Sequence, residues 1–125
     1  IFINNAVYGM TGGQMAPTTL LGQKTATTPR GRNALTEGSP LKISEMLALL
    51  PGVKSVERTS LYSPQEILKT RQAIKKAFQN QIDQVGFSLV EILSPCPTYW
   101  GLSPRQALDW VRETMTKEFP LGKIK

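Results

Sequence analysis

Apolar and polar positions alternate between two spacings along this chain, and each change of spacing marks an element. Ile1-Phe2-Ile3 is a continuous apolar run that stops at polar Asn4-Asn5, the profile of a buried strand meeting a loop. Residues 6–40 keep no sustained period and hold seven threonines, six glycines and three prolines. A stretch that long inside a compact domain is either a functional loop or a disordered one. Ser39-Pro40 then opens a helical pattern, with Ser39 as cap and Pro40 at the first helical position. Ile43, Met46, Leu47 and Leu50 share one face of it, and Pro51-Gly52 is its stop. Val53–Ser60 predicts a strand anchored by Val53 and Val56.

Ser63-Pro64-Gln65-Glu66 has the form of a capping box and predicts a second helix. Ile67, Ile74, Phe78, Ile82 and Val85 recur at helical spacing and are expected to pack in the core. Lys69, Arg71, Lys75 and Lys76 form the solvated side, and Gly86 ends the helix. Phe87–Leu93 predicts a strand, followed by Ser94-Pro95-Cys96-Pro97-Thr98, where the prolines oppose regular structure. A second capping box, Ser103-Pro104-Arg105-Gln106, starts a last helix with Leu108, Val111, Met115 and Phe119 on one stripe. Pro120 and Gly122 end it. This order predicts an α/β fold, a parallel sheet with crossover helices. Ligands bind such sheets at the carboxyl ends of strands. Two of those ends open into unusual loops, from Asn4-Asn5 onward and from Ser94 to Tyr99.

Composition narrows the picture. A chain of 125 residues, 40% apolar and 19% charged, suits one globular domain rather than a disordered tail. The net charge of +6 is spread along the chain without an arginine-rich arm, which argues against nucleic acid as partner. No stretch approaches the roughly 18 apolar residues of a membrane span, and Ile1-Phe2-Ile3 running straight into Asn4-Asn5 is not expected to be a signal peptide. The single cysteine, Cys96, allows no internal disulfide and fits a reducing cytoplasm. Beginning at Ile1 rather than methionine, the chain reads as a piece of something longer.

Candidate chemistry gathers in Asn4-Asn5-Ala6-Val7-Tyr8-Gly9-Met10-Thr11-Gly12-Gly13-Gln14. Asparagine oxygens and backbone carbonyls are hard ligands of the kind magnesium takes, and closely spaced glycines let amides approach an anion. As pattern alone, Asn and Gly after a strand mean a turn. Cys96 between two prolines is, as pattern alone, an inert thiol. Lys24, Arg30 and Arg32 read as a solvated basic loop, with a phosphate or carboxylate contact as the functional alternative.

The Asn4-Asn5 segment, its continuation to Gln14 and Pro17-Thr18-Thr19, and the later run Ser94-Pro95-Cys96-Pro97-Thr98-Tyr99-Trp100-Gly101 together resemble one family. It is the beta, thiamine-diphosphate-binding subunits of 2-oxoacid:ferredoxin oxidoreductases, and the likeness runs from Ile1 to about Gly122. The resemblance implies residues 1–125 as the C-terminal part of a thiamine-diphosphate-binding domain, with the cofactor loop at 6–40. The family's Gly-Asp-Gly segment, which supplies a magnesium-binding aspartate, is absent. By the same resemblance, Asn5 binds magnesium through its side chain and Val7 through its carbonyl, with Asn4 in support. Gly9, Met10 and Thr11 line the diphosphate, and Gly12 and Gly13 keep that loop close to it.

Cys96 corresponds to one of four thiolates on a four-iron, four-sulfur cluster, orphaned here because one cysteine cannot hold such a cluster. The implied reaction is oxidative decarboxylation of a 2-oxoacid such as 2-oxoglutarate, with coenzyme A taking the acyl group and ferredoxin the electrons. No catalytic residue is expected in this chain, which would be inactive alone, because an alpha subunit completes the site. Half a sheet leaves an open edge and predicts an oligomer. Two other readings stand beside this one, another thiamine-diphosphate enzyme lacking the cysteine motif, and a non-catalytic scaffold of the same fold.

Overall fold

In a computed structural model, residues 1–125 form a four-stranded sheet with helices on both faces. The strands are β1 (Phe2–Asn4), β2 (Val53–Ser60), β3 (Phe87–Leu93) and β4 (Gly122–Lys123). Their order is β1-β3-β2-β4. β1 and β2 both run parallel to β3, so three carboxyl ends meet at one edge, as the alternation of elements predicts. β4 is antiparallel to β2. It lies where the sequence suggested only a helix stop, and the sheet is therefore mixed.

The helices are α1 (Ala34–Glu37), α2 (Ile43–Ala48), α3 (Pro64–Ile82), α4 (Pro97–Trp100), α5 (Pro104–Trp110) and α6 (Thr116–Glu118). A π-helical turn at Val111–Met115 joins the last two. Ser63 caps α3 by accepting from the Glu66 amide, but the Glu66 carboxylate turns to Lys69 instead of closing the box. At Ser103 both bonds of the capping box are made. α2 begins three residues later than its sequence signals suggest, with Lys42 at its cap position. Leu41 is held outside the helix because its amide donates to the Pro17 carbonyl at 3.0 Å. α4 corrects a second expectation. Pro97 ends no structure, because it occupies the start of a short helix, where its missing N–H costs nothing.

Three apolar clusters fill the interior. Ala73, Val90 and Ile92 join α3 to one face of the sheet. On the other face Val53, Val56 and Leu89 pack with Leu47 and Ala48 of α2. Near the carboxyl ends of the strands, Ala6, Leu20 and Leu93 meet Val111, Met115 and Phe119, so these three residues of the last stripe are core as expected, while Leu108 is half-buried. Of the α3 stripe only Ile74 packs against the core. The buried residues of α3 are Glu66, Thr70 and Ala73, while Ile67, Phe78 and Ile82 are 50%, 62% and 73% exposed. Short side chains on the inner face let α3 lie close to β2 and β3, which rotates the larger ones outward.

The stretch from 6 to 40 is folded, although it contains little regular structure. Tyr8 bridges to Gln14, and Leu21 to Arg32. Arg32 is 6% exposed. Its guanidinium donates to the carbonyls of Pro17, Thr19, Gly38 and Ser39 at 2.6–2.9 Å. One buried cation thus gathers both ends of the loop, where the sequence suggested a solvated arginine. Arg30 and Lys24 are exposed, as expected.

Candidate functional site

The site begins where β1 ends. Ser94 donates to the Asn4 carbonyl at 2.9 Å, extending the β1–β3 pairing by one bond. The Asn4 side chain is 1% exposed, and both of its polar atoms are hydrogen-bonded. Its Nδ2 donates to Glu91 Oε1 at 2.7 Å, and its Oδ1 accepts from the Ala6 amide at 3.1 Å and the Thr18 hydroxyl at 2.8 Å. Ala6 takes a left-handed conformation, φ 54°, a region costly for a residue with a Cβ. Its carbonyl accepts from Thr19 Oγ1 at 2.7 Å and Gln23 Nε2 at 3.0 Å. By contrast, none of the chain's hydrogen bonds ends on the Val7 carbonyl. Asn5 Oδ1 accepts only a long bond, 3.4 Å, from the Val7 amide. The turn therefore leaves two weakly committed oxygens, one from Asn5 and one from Val7.

Beyond the turn, residues 8–14 close on themselves. Tyr8 donates to the Gln14 carbonyl at 3.0 Å and Gly13 to the Tyr8 carbonyl at 2.9 Å. Thr11 Oγ1 donates to Gln14 Oε1 at 2.8 Å, and Gln14 Nε2 returns a bond to the Thr11 carbonyl at 2.7 Å. The hydroxyl proton of Thr11 is thus taken within the loop. Met10, Thr11 and Gly12 stand exposed at the tip, while Gly13 is buried.

The two loops singled out in the sequence meet here. A Cβ on Gly9 would lie 3.2 Å from Cys96 Sγ. One on Gly13, where φ is +79°, would lie 2.4 Å from Tyr99 Cδ1. Neighbouring strand ends bring this about, because Asn4 pairs with Leu93 and the two loops leave the sheet side by side. The structure thus brings Asn5, Gly9 and Gly13 together with Cys96 and Tyr99, while Met10, Thr11 and Gly12 project at the tip and Val7 is buried in the turn.

Two groups lay outside the sequence reading. Behind Asn4, Glu91 Oε2 accepts from Arg58 Nε at 2.7 Å and Ser44 Oγ at 2.5 Å. Arg58 reaches on to Glu45 at 2.7 and 3.0 Å and to the Pro120 carbonyl at 3.1 Å. Arg58 and Glu91 are each 1% exposed. Burial pulls the Arg58 guanidinium down, but the Glu45 hydrogen bond and the Glu91 charge outweigh it and hold the group above its usual range. Glu45 is pushed below its usual value by the bond from Arg58. A lone charge inside the apolar run Phe87–Leu93 was the available signal. The second group is a cavity of about 390 Å³ that includes Leu20, Lys24, Trp100 and Trp110 in its lining. The two indole rings are 4.3 Å apart, and Trp100 Nε1 is buried without a partner.

The donor set fits magnesium in type, being neutral hard oxygens, but it is a partial set. No three His, Cys, Asp or Glu residues come together as a metal site. A thiolate-held cluster does not fit this chain alone, since Cys96 is its only cysteine.

Residues 1–92 match the family described as thiamine pyrophosphate enzyme, C-terminal TPP binding domain. Among relatives, the ketoisovalerate oxidoreductase subunit VorA of Methanothermobacter thermautotrophicus is 48% identical over 99% of the chain and 26% of its own length. The 2-oxoglutarate synthase subunit KorB of Archaeoglobus fulgidus is 39% identical over 94% of the chain and 39% of its own length. The 2-oxoacid:ferredoxin oxidoreductase subunit beta of Saccharolobus solfataricus is 33% identical over 85% of the chain and 31% of its own length. The chain thus spans between about a quarter and two-fifths of these relatives. No solved structure matches it.

Proposed function

Because the chain belongs to the thiamine pyrophosphate enzyme family, as its C-terminal TPP binding domain, we propose that it forms part of the cofactor-binding subunit of a 2-oxoacid:ferredoxin oxidoreductase. The observation that carries the reading is the patch in which the Asn5–Gly13 loop packs against Cys96 and Tyr99. Both halves of that patch belong to the sequence likeness, and the fold joins them.

In this reading Asn5 Oδ1 and the Val7 carbonyl are magnesium ligands, completed by groups outside residues 1–125. Gly9, Met10, Thr11, Gly12 and Gly13 form the diphosphate wall. Thr11 serves through its amide, because its hydroxyl proton is held by Gln14. Glycine is required at 13 because any side chain there would strike the Tyr99 ring. Cys96 supplies one thiolate to an iron–sulfur cluster whose other ligands lie elsewhere. When bound, thiamine diphosphate supplies the carbon centre that adds to a 2-oxo carbonyl and stores the electrons left as carbon dioxide departs. The chain's own part is to orient and to exclude water. An alpha subunit, coenzyme A and ferredoxin are the expected partners. The substrate class is a 2-oxoacid, and the names of the relatives include both ketoisovalerate and 2-oxoglutarate. No helix here is long and apolar enough to cross a membrane.

Calorimetric titration with thiamine diphosphate and magnesium tests this. Asn5→Ala should weaken binding about tenfold or more, the loss of one metal ligand. A variant that binds as tightly as the parent would remove Asn5 from the site.

A further inference from the structure

The buried polar chain behind the turn has a direction. The Asn4 amide has two chemically different ends, and only one orientation satisfies its neighbours. A carboxylate accepts only, and a backbone N–H donates only. Arg58 Nε and Ser44 Oγ both donate to Glu91 Oε2, which leaves Oε1 for Asn4 Nδ2. With Nδ2 turned toward Glu91, Oδ1 faces the Ala6 amide and the Thr18 hydroxyl, and the chain turns through the left-handed Ala6. Asn5 and Val7 flank that residue.

We propose that Glu91 is a positioning residue for the cation-binding turn. Its acceptor-only carboxylate, pinned by Arg58, dictates the orientation of Asn4 and through it the placement of the Asn5 side chain and the Val7 carbonyl. The inference rests on the reading of that turn as the magnesium site. Stability alone does not account for the pair. Glu91 lies between two apolar clusters, Val53–Val56–Leu89 and the one containing Leu93. A well-packed apolar pair in such a place is often as stabilising as a buried ion pair. What an apolar pair cannot do is select one face of an amide.

The test reverses the polarity of the chain. Glu91→Gln preserves size, but one side-chain oxygen cannot serve both Arg58 and Asn4. Arg58, as the charged donor, keeps that oxygen, so the new NH2 meets Asn4 and turns its amide over, and the Ala6 amide loses its acceptor. Adding Asn4→Asp restores the pattern. The new carboxylate accepts from the amide at position 91, from the Ala6 N–H and from Thr18, and the net charge is unchanged.

Magnesium is titrated into the assembled enzyme at saturating thiamine diphosphate, with thermal unfolding in parallel. E91Q should bind magnesium about tenfold more weakly. N4D/E91Q should return to within about threefold of the parent. N4D alone sets carboxylate against carboxylate and should lose at least as much as E91Q. An E91Q enzyme with unchanged magnesium affinity overturns the proposal, as does a folded double variant no better than E91Q. If E91Q does not fold, the double variant must both fold and bind magnesium, and failure of either overturns it. A parent enzyme that binds no magnesium–thiamine diphosphate would remove the functional reading itself, and this inference with it. A responsive parent with an unresponsive E91Q would remove only the role of Glu91.

Discussion

Single residues set the geometry of the patch, and two of them do so by leaving no room for alternatives. Gly13 has φ +79° and lies against the Tyr99 ring, so Gly13→Ala meets both a conformational penalty and a clash. The expected loss is about 2–3 kcal/mol by urea denaturation. In a double-mutant cycle, Tyr99→Ala should recover the steric part and leave roughly 1 kcal/mol of backbone strain. Arg32 acts by geometry of another kind. Its planar fork reaches four carbonyls at once, and an ammonium with three donors cannot reproduce it. Arg32→Lys should cost about 2–3 kcal/mol and admit protease within residues 16–39. A variant as stable and as resistant as the parent would show that the loop is held by other means.

Elements differ in how far their sequence announces them. β3 coincides with its prediction because Phe87–Leu93 is apolar almost throughout and bounded by Gly86 and Pro95. β4 was invisible, since two residues, Gly122 and Lys123, carry no pattern, and pairing with β2 alone makes them a strand. The α3 pattern places a helix correctly, but of its apolar stripe only Ile74 faces the core. Periodicity reports where large apolar residues lie, whereas close approach to the sheet selects small ones such as Ala73 and Thr70. The loop residues of the site were legible only through the resemblance. The Glu91–Arg58 network behind them was not, because the two residues are distant in sequence and neighbours only across paired strands.

That network also links α2 to β2 through Glu45, which carries a pH dependence. The bond from Arg58 holds Glu45 below its usual value of 4.5. A depressed folded-state value adds stability above the unfolded value, and that stability is lost as pH falls through the folded one. Stability should therefore drop on acidification below about pH 4.5, and Glu45→Gln should flatten part of that slope in denaturation curves. Parallel curves for the two proteins would show that the Arg58–Glu45 link contributes nothing.

The whole molecule presents an incomplete exterior. β1 is an edge strand with Ile1 and Ile3 more than half exposed, and the outer side of α3 carries Phe78 and Ile82 beside its lysines. An open edge beside exposed apolar residues favours association with further protein. Sedimentation of residues 1–125 at high concentration should therefore give species larger than a monomer. Phe78→Glu with Ile82→Lys should shift the balance toward the monomer, and a monomeric parent would contradict the expectation.

The chain's two tryptophans lie in one place, ring against ring and beside the loop that Arg32 gathers. Indoles this close share their excitation, so emission and near-ultraviolet dichroism of the entire protein come from a single spot. Every other region is dark at those wavelengths apart from weaker tyrosine signals. The molecule thus has a built-in optical gauge, and the seating of the long loop against α4 and α5 can be followed without attaching any label.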